Sequence, residues 1–360
     1  MDWAEIRREF PALKNWTYLN TATYGQMPRR AVEAMVKYAA RRDELACTDF
    51  LEWYKDVDGL RASIARLIHA RAEDIAFVPN AAAALSIVVS GIGMREGDNV
   101  VALEDEFPNY QYMHAARKVA WEGFHHAIDG RTRLVALSEV NYSTGFRPPL
   151  EETARAARKQ GAVLFVDGSQ STGALQFDVT KTPVDALAVH GYKWMLGPTG
   201  AGFLYVSPEL RAKLAPNVIG WRSHNDWRNV DRLHHGTPEF AESAEKYEGG
   251  GLPFHLLYAM RASVDWMLEI GPERIERRVL ELAGQARQML RGLGARVEET
   301  GSQIVCAEFE GRDASGLARS LRENNVVVAA RHGRLRVSPH FYNSEEDLGT
   351  LGARLRPLVS

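Results

Sequence analysis

A single lysine, Lys193, lies between two aromatic residues in the stretch HGYKWMLGPTGAG, which spans residues 190–202. Its neighbours are Tyr192 and Trp194, and an apolar run at residues 203–206 follows the glycines. A charged amine is costly to bury, so burial lowers the pKa of a lysine and makes it a nucleophile. Taken alone, the stretch has two interpretations: a surface lysine whose amine reaches solvent, or a reactive amine of the kind that condenses with a carbonyl group.

A carboxylate precedes this lysine at the end of another apolar segment. Asp167 directly follows the apolar residues 162–166, and Gln170 lies three positions later. A buried carboxylate needs a partner, because an unpaired one destabilises the fold. Two interpretations stay open: Asp167 caps the next turn, or it presents a fixed negative charge to a cationic ring nitrogen.

Two further segments offer parts of a ligand site. The segment PNAAAAL follows a predicted strand and begins a helix, so the N–H groups of Ala81 and Ala82 are free to bind a phosphate. In EDEFPNYQY, Phe107 is either a core side chain or an aromatic plate under a flat ligand. A reactive lysine, a carboxylate, a phosphate site and a stacking plate are together what pyridoxal phosphate requires.

The elements that must position these residues alternate between strands and helices. Apolar strands are predicted at residues 75–78, 100–103, 134–137, 162–166, 186–189 and 202–206, and helices at residues 81–89, 109–121 and 150–159. This pattern predicts an α/β fold with a mostly parallel sheet covered on both sides. Ligands bind beyond the carboxyl ends of such strands, where the candidate segments lie.

The pattern changes after about residue 251. Long amphipathic helices are predicted at residues 253–269 and 272–293, and the strands SQIVCAEFE and NNVVVAAR flank a helix at residues 314–323. We expect a large domain at residues 20–252. A smaller α+β domain is expected to combine residues 1–19 and 253–360, with the N-terminal helix, residues 3–10, packed against it.

The bulk composition excludes several classes of protein. The chain has 360 residues and a net charge of -2, so it has no overall positive potential that would attract nucleic acid or an anionic membrane. No apolar run approaches the ~20 residues of a membrane span. Two cysteines, Cys47 and Cys306, form neither a disulfide framework nor a metal cluster, and no metal site is predicted. The first residues lack a signal-peptide pattern, so a cytoplasmic location is expected.

These segments together resemble the class V aminotransferase family of fold-type I pyridoxal phosphate enzymes, which includes cysteine desulfurases, kynureninases and isopenicillin N epimerases. The resemblance extends from YLNTATYGQMPRRAVEAM through FVPNAAAAL, FVDGSQSTG and the lysine stretch to RLRVSPHFYNSEEDL. It implies a three-layer fold with a seven-stranded sheet, a pyridoxal phosphate cofactor, and a homodimer with sites at its interface.

The resemblance also implies a role for each matching residue. Lys193 matches the lysine that forms the Schiff base with the cofactor, and Asp167 matches the aspartate that keeps the ring nitrogen protonated. Gln170 matches the residue that contacts the phenolic oxygen, and Phe107 matches the stacking position. Arg336 matches the arginine that binds the substrate carboxylate as a two-pronged clamp.

The phosphate-binding residues depart from the family pattern. Asn80-Ala81-Ala82 stands where relatives carry a threonine pair, and Leu252 replaces a threonine in KYEGGGLP, which resembles a segment that reaches the partner subunit's phosphate. His190 lies at the position of a phosphate-binding serine. Tyr192 lies where desulfurases carry histidine and kynureninases a phosphate-binding tyrosine. We expect backbone N–H groups, His190 and Tyr192 to hold the phosphate.

The expected activity is that of an enzyme acting on a small α-amino acid, with an aminotransferase as the first choice. A β-lyase that cleaves C–S bonds and an amino-acid epimerase stay open, because all three reactions begin with loss of the Cα proton. A cysteine desulfurase is disfavoured, since VVVAARHGRLRVSPH runs into the Arg336 motif without the nucleophilic cysteine of desulfurases. Tyr24 and Tyr142 are candidate pocket residues, each equally explained by core packing.

A non-catalytic sensor built on the same fold is the alternative from another class of protein. The intact Lys193, Asp167 and Arg336 argue against it, because a binding module does not need a nucleophile, an electron-sink partner and a substrate clamp together.

Overall fold

The computed structural model describes residues 2–360. The helices are α1 Trp3–Arg7, α2 Arg29–Glu44, α3 Phe50–Ile68, α4 Ala81–Gly91, α5 Pro108–Gln111, α6 Leu150–Gln160, α7 Pro208–Arg211, α8 Phe254–Ile270, α9 Pro272–Gly292, α10 Ala314–Glu323 and α11 Glu345–Val359. The strands are β1 Thr17–Tyr18, β2 Ile75–Val78, β3 Asn99–Leu103, β4 Ala116–Val119, β5 Thr132–Ser138, β6 Val163–Asp167, β7 Ala186–His190, β8 Gly202–Val206, β9 Arg296–Val297, β10 Val305–Glu308, β11 Val326–Val327, β12 Ala329–Arg331 and β13 Arg334–Val337.

A seven-stranded sheet lies at the centre of the first two thirds of the described chain, in the order β2-β8-β7-β6-β5-β3-β4. The neighbours from β7 to β4 are parallel, whereas β8 is antiparallel to both β7 and β2. The predicted α/β fold with a mostly parallel sheet is therefore confirmed. The carboxyl ends of the parallel strands β3, β5, β6 and β7 meet at one edge.

Helices cover both faces of this sheet and give the fold its three layers. Successive side chains of a strand point to opposite faces, so Val101 and Val135 pack with α3, α6 and α8, whereas Val100 and Leu134 pack with α4 and α7. Every residue of β2, β3 and β8 is buried. Burial on both faces explains why these strands are continuous apolar runs in the sequence.

The helix predicted for residues 109–121 is wrong. Only Pro108–Gln111 is helical, and Ala116–Val119 forms the edge strand β4, which pairs in parallel with β3. Ala115 has a left-handed backbone with φ of 59°, which a continuing α-helix does not allow. The hydrogen bonds that β3 offers to a neighbouring strand override the local preference.

The last third of the chain contains a four-stranded antiparallel sheet, in the order β12-β13-β10-β9 over the residues that the structure describes. Its core includes Leu282, Leu321 and Leu351 from the helices α9, α10 and α11. The N-terminal segment joins this part, because β1 pairs in parallel with β11 and Arg7 forms an ion pair with Asp347 at 2.7 Å. The helix at the N-terminus ends at Arg7 instead of residue 10. The domain boundaries stay a prediction.

Crossing a lipid bilayer requires a long apolar helix, and none of the helices within residues 2–360 has that length and character.

The segment after β1 lies directly against the lysine turn. Gly25 donates its N–H to the carbonyl oxygen of Tyr192 at 2.8 Å. A methyl group on Gly25 would lie 1.9 Å from the carbonyl oxygen of Lys193, well inside the contact distance. Only glycine therefore fits at this position without moving the turn that carries Lys193.

We expect Gly25→Ala to lower the free energy of unfolding by about 1–3 kcal/mol, because overpacking forces a backbone shift. Gly284→Ala is the matched control. Gly284 is exposed in the middle of α9, and a methyl group there meets no atom within 4 Å. It should raise stability by about 1 kcal/mol, because alanine is the better helix former. Urea unfolding measures both, and an unchanged midpoint for Gly25→Ala would contradict the close contact.

Candidate active site

Lys193 lies in the turn that follows β7, with its side chain buried between two rings. Its Nζ is 5.7 Å from the ring centroid of Phe107 and 5.8 Å from that of Tyr192. Burial lowers the pKa of Lys193 to about 8, and the positive charges of Arg336 and Arg331 contribute in the same direction, while Asp167 opposes them. With a pKa of about 8, the predicted reactive amine is still mostly protonated near pH 7, but its neutral fraction is far larger than that of an ordinary lysine.

Asp167 is the last residue of β6, and each of its oxygens accepts one hydrogen bond. The hydroxyl of Tyr110 donates to Oδ2 at 2.9 Å, and the backbone N–H of Ser169 donates to Oδ1 at 2.8 Å. Burial and the nearby Asp167 raise the pKa of Tyr110 well above its ordinary value, so the phenol keeps its proton and donates it. A carboxylate oxygen accepts more than one hydrogen bond, so Asp167 retains capacity for a cationic ring N–H.

Gln170 is held in place by two contacts of its side-chain amide. Its Nε2 donates to the carbonyl oxygen of Ala22 at 3.0 Å, and its Oε1 accepts from the indole N–H of Trp194 at 2.9 Å. One hydrogen on Nε2 is left over after these bonds. Its predicted contact with a phenolic oxygen stays a prediction that this geometry permits.

The helix α4 begins with its own side-chain cap. Asn80 is the N-cap residue, and its Oδ1 accepts from the N–H of Ala83 at 2.8 Å. The first N–H groups of a helix have no acceptor inside the helix. The cap uses the third of these groups, so those of Ala81 and Ala82 remain for an anion.

His190 and Tyr192 lie on the same side of the lysine turn, with ring centroids 5.0 Å apart. The Nδ1 atom of His190 is buried and has no hydrogen-bond partner within residues 2–360. Burial lowers the pKa of His190 to about 4, so its imidazole is neutral. Tyr192 also packs against Tyr24, with ring centroids 4.8 Å apart. Tyr24 is 50% exposed, which excludes a core-packing role.

Arg336 on β13 is buried among neutral partners. Its Nη1 donates to the carbonyl oxygen of Tyr142 at 2.7 Å, and its Nη2 donates to Oγ1 of Thr23 at 2.6 Å and to Oδ1 of Asn20 at 3.5 Å. Its Nε has no partner in the described range. Burial and the neighbouring Arg331 lower the pKa of Arg336 to about 10. A buried cation without a carboxylate partner favours binding of an anion.

Phe107 and Tyr142 form a perpendicular pair beside Lys193. Their ring centroids are 5.2 Å apart at an interplanar angle of 89°. Phe107 is 38% exposed, so it is not a core side chain and is available as a plate. The hydroxyl of Tyr142 is 2.8 Å from Nε2 of His332.

Three residues near the site escaped the sequence analysis. Tyr110 lies three positions after Phe107, in the segment for which the sequence predicts a regular helix. Arg331 lies in a strand, and no local sequence pattern indicates that it approaches Arg336. Glu106 is buried and accepts from Ser138 at N and Oγ and from the N–H of Phe107. Burial raises the pKa of Glu106 to about 7.

The thiol of Cys306 does not resemble an activated nucleophile. Cys306 lies on β10, opposite Arg336, and its thiol donates to the carbonyl oxygen of Ser143 at 3.0 Å. Burial raises the pKa of Cys306 to about 11, so the thiol is protonated. Cys47 lies in the loop between α2 and α3 with a left-handed φ of 60°.

These residues fit pyridoxal phosphate. The neutral amine of Lys193 suits an aldehyde, and the free N–H groups of α4 together with the unpartnered Nδ1 of His190 suit a phosphate. Asp167 has room for a ring N–H, and the exposed ring of Phe107 offers a stacking plane.

Known proteins are similar to this chain over nearly all of its length. The family model described as aminotransferase class-V matches residues 17–351. A probable cysteine desulfurase of Methanothermobacter thermautotrophicus is 26% identical over 99% of this chain and 98% of the relative. An isopenicillin N epimerase of Streptomyces clavuligerus is 28% identical over the same shares of the two chains. A C-DES variant with glycine covalently linked to its pyridoxal phosphate superposes with a TM-score of 0.86 at 22% identity, covering 97% of this chain and 98% of that one.

The lowered pKa of Lys193 predicts the pH dependence of cofactor capture. Only the neutral amine attacks an aldehyde, so the rate at which the apoprotein develops the absorbance of bound pyridoxal phosphate should rise with pH and be half-maximal near pH 8. Nα-acetyl-lysine is the control, with a midpoint near the ordinary lysine value of 10.5. Equal midpoints for the protein and the control would show that burial does not tune the amine.

Proposed function

This chain belongs to the class V aminotransferase family of pyridoxal phosphate-dependent enzymes, and from this premise we propose that it is an aminotransferase acting on an α-amino acid. The observation that carries the proposal is the pairing of a buried amine with a lowered pKa, Lys193, with a buried guanidinium, Arg336, whose partners within residues 2–360 are neutral. The amine suits proton transfer at Cα, and the guanidinium suits an α-carboxylate.

Arg336 is the residue we assign to the substrate carboxylate. Its Nη1 and Nη2 atoms are fixed by Tyr142 and Thr23, so the planar fork is oriented before substrate arrives. Bidentate binding of a carboxylate by such a fork gives two charge-assisted hydrogen bonds. An incoming carboxylate would also relieve the uncompensated positive charge of Arg336.

The cofactor, when bound, supplies the electron sink that makes loss of the Cα proton feasible. Lys193 removes that proton at Nζ, because its pKa of about 8 matches proton transfer near neutral pH. Asp167 holds a proton on the ring nitrogen, and Tyr110 fixes the carboxylate by a hydrogen bond at 2.9 Å. The same Nζ would hold the proton after its removal and return it, so Lys193 would serve as both the base and the acid of the proton transfer.

The remaining residues bind the cofactor in this proposal. The N–H groups of Ala81 and Ala82, Nδ1 of His190 and the hydroxyl of Tyr192 bind the phosphate in place of the absent threonines. Phe107 stacks on the ring, and the free hydrogen of Gln170 Nε2 donates to the phenolic oxygen. The support for this set is the buried, unpartnered Nδ1 of His190 and the capped start of α4.

A cysteine desulfurase is disfavoured, although a similar chain bears that name. Persulfide formation needs a thiolate that reaches the substrate sulfur. The thiol of Cys306 is protonated and bonded to a backbone carbonyl, and Cys47 lies in a loop of the helical N-terminal third.

An amino-acid epimerase is the second candidate. Epimerisation needs a second acid or base on the face of the substrate opposite Lys193. The hydroxyl of Tyr142, bonded to His332 at 2.8 Å and adjacent to the Phe107 ring, is a candidate for that group.

Products identify the reaction. We expect the purified enzyme, incubated with single α-amino acids and a keto acid acceptor, to form a new keto acid and a new amino acid. Lys193→Ala should abolish this turnover. Lys181→Ala is the matched control, because the side chain of Lys181 is 80% exposed and forms a surface ion pair with Asp178. An inverted amino acid would identify an epimerase, and a released thiol with ammonia a β-lyase; either result without a keto acid exchange would overturn the proposal.

We also propose a homodimer, because large apolar side chains are exposed beside the loop that is expected to reach a partner subunit. Val218 and Ile219 are exposed, and the following segment packs on that loop through a 3.1 Å hydrogen bond from the N–H of Arg222 to the carbonyl oxygen of Gly249. Light scattering should give about twice the chain mass of 40.2 kDa. Ile219→Lys should shift the mass toward the monomer, and a monomeric parent protein would refute the dimer.

A further inference from the structure

Two arginines converge on one hydroxyl beside the substrate site. Thr23 Oγ1 accepts from Nη2 of Arg336 at 2.6 Å and from Nη2 of Arg331 at 3.4 Å. The same hydroxyl donates to Oδ1 of Asn20 at 2.8 Å. The two Nη2 atoms are therefore less than about 6 Å apart, the sum of their distances to the shared oxygen.

Neither of these guanidiniums has an acidic partner within residues 2–360. The remaining bond of Arg331 runs from Nη1 to the carbonyl oxygen of Ala330, its own neighbour in the chain. Two cations this close repel each other, and the repulsion is uncompensated by any carboxylate in that range. One bound carboxylate neutralises one of the two charges, so the second charge remains available for a second anionic group.

Arg334, two residues before Arg336 on β13, differs from Arg331 although both lie on one hairpin. Arg331 and Arg334 are paired across β12 and β13, and the turn between them is tight, because His332 and Gly333 both have left-handed backbones, with φ of 47° and 76°. Arg334 lies 3.9 Å from the carboxylate of Glu308. Its charge is partly offset by Glu308, which also pairs with Arg296. Arg331 is the cation of this hairpin that bonds to Thr23 and has no carboxylate partner within residues 2–360.

The neighbouring cavity is unsuited to an anion. It has a volume of about 520 Å³ and lies beyond Tyr142 and His332. Its walls carry three acidic residues, Glu104, Asp105 and Glu106, and one arginine, Arg334. The acidic residues outnumber this arginine, so an acidic side chain of a substrate is placed more favourably beside Arg331, which has no carboxylate partner within residues 2–360.

We propose that Arg331 binds an acidic group on the side chain of the substrate, so that the enzyme prefers short dicarboxylic α-amino acids. The inference rests on the proposed function, in which Arg336 binds the α-carboxylate. The short distance between the two guanidiniums matches substrates in which the two carboxylates are separated by a few carbons, such as aspartate and glutamate. Arg331 is then a specificity-determining residue of the reaction.

Substrate pairs that differ only in charge test the assignment. We expect kcat/KM for aspartate and glutamate to exceed that for asparagine and glutamine, which have nearly the same shape. Arg331→Leu should lower the ratio of kcat/KM for the acidic pair to that for the amide pair by roughly 10–100-fold, the usual loss for a hydrogen bond to a charged group. Arg331→Lys, which retains the charge without the fork, should keep part of the preference.

Arg334→Leu is the matched control, because it removes one positive charge from the same hairpin without removing the cation beside Thr23. It should leave the preference for acidic substrates intact. An equal loss on acids and amides in Arg331→Leu would place Arg331 on the α-carboxylate and overturn the inference while the aminotransferase proposal stands. Unchanged kinetics in Arg331→Leu would also overturn it, and thermal unfolding of each variant checks that the fold is retained.

A binding measurement separates this inference from the proposed reaction. Succinate and glutarate have two carboxylates and no amino group, and butyrate has one carboxylate. Calorimetry on the holoenzyme should show tighter binding of the diacids than of butyrate, and Arg331→Leu should remove the difference. This result is independent of turnover, so it stands even if no amino group is transferred; equal binding of diacids and butyrate by the parent enzyme would refute the second anion site.

Discussion

The burial of one amine is the constraint on which the site depends. Lys193 lies between the rings of Phe107 and Tyr192, where water is excluded from its Nζ. This burial and the positive charges of two arginines lower the pKa of the amine. Asp167 alone opposes this effect. The surroundings of Lys193 thus favour loss of its proton at a lower pH than for an exposed lysine, because neighbouring residues exclude water and place positive charges nearby.

The positive charge around the amine is held by neutral acceptors instead of carboxylates. Hydroxyls and carbonyl oxygens orient Arg336 without cancelling its charge, whereas the structural arginines of the same chain lie in buried ion pairs, as Arg61 and Arg222 do with Glu248. The contrast separates arginines that stabilise the fold from those that are left available for a ligand. Leaving Arg336 without a carboxylate partner lowers the stability of the fold, since a buried uncompensated cation is unfavourable.

Much of the fold and the identities of the central site residues could be predicted from sequence, because they leave local signals. Apolar runs revealed the buried strands, and Asp167 and Lys193 stand out as polar residues at the ends of such runs. The edge strand β4 was missed because its identity depends on pairing with β3, and its burial is only partial. Tyr110 and Arg331 were missed because their partners Asp167 and Thr23 are 57 and 308 residues away in the chain, and no periodicity encodes such contacts. The free Nδ1 of His190 likewise became visible only once its burial was known.

Both ends of the chain are needed to complete the site. Thr23, from the N-terminal segment, meets Arg336 across 313 positions, and β1 pairs with β11 across most of the chain. During synthesis β1 and Thr23 are therefore without these partners until the ribosome has released the segment that contains β11 to β13. All seven strands of the central sheet have been synthesised by residue 206, before that segment. Arg336 is therefore the last of the site residues to be synthesised, so a nascent chain contains its lysine turn well before it contains the residue assigned to the substrate carboxylate.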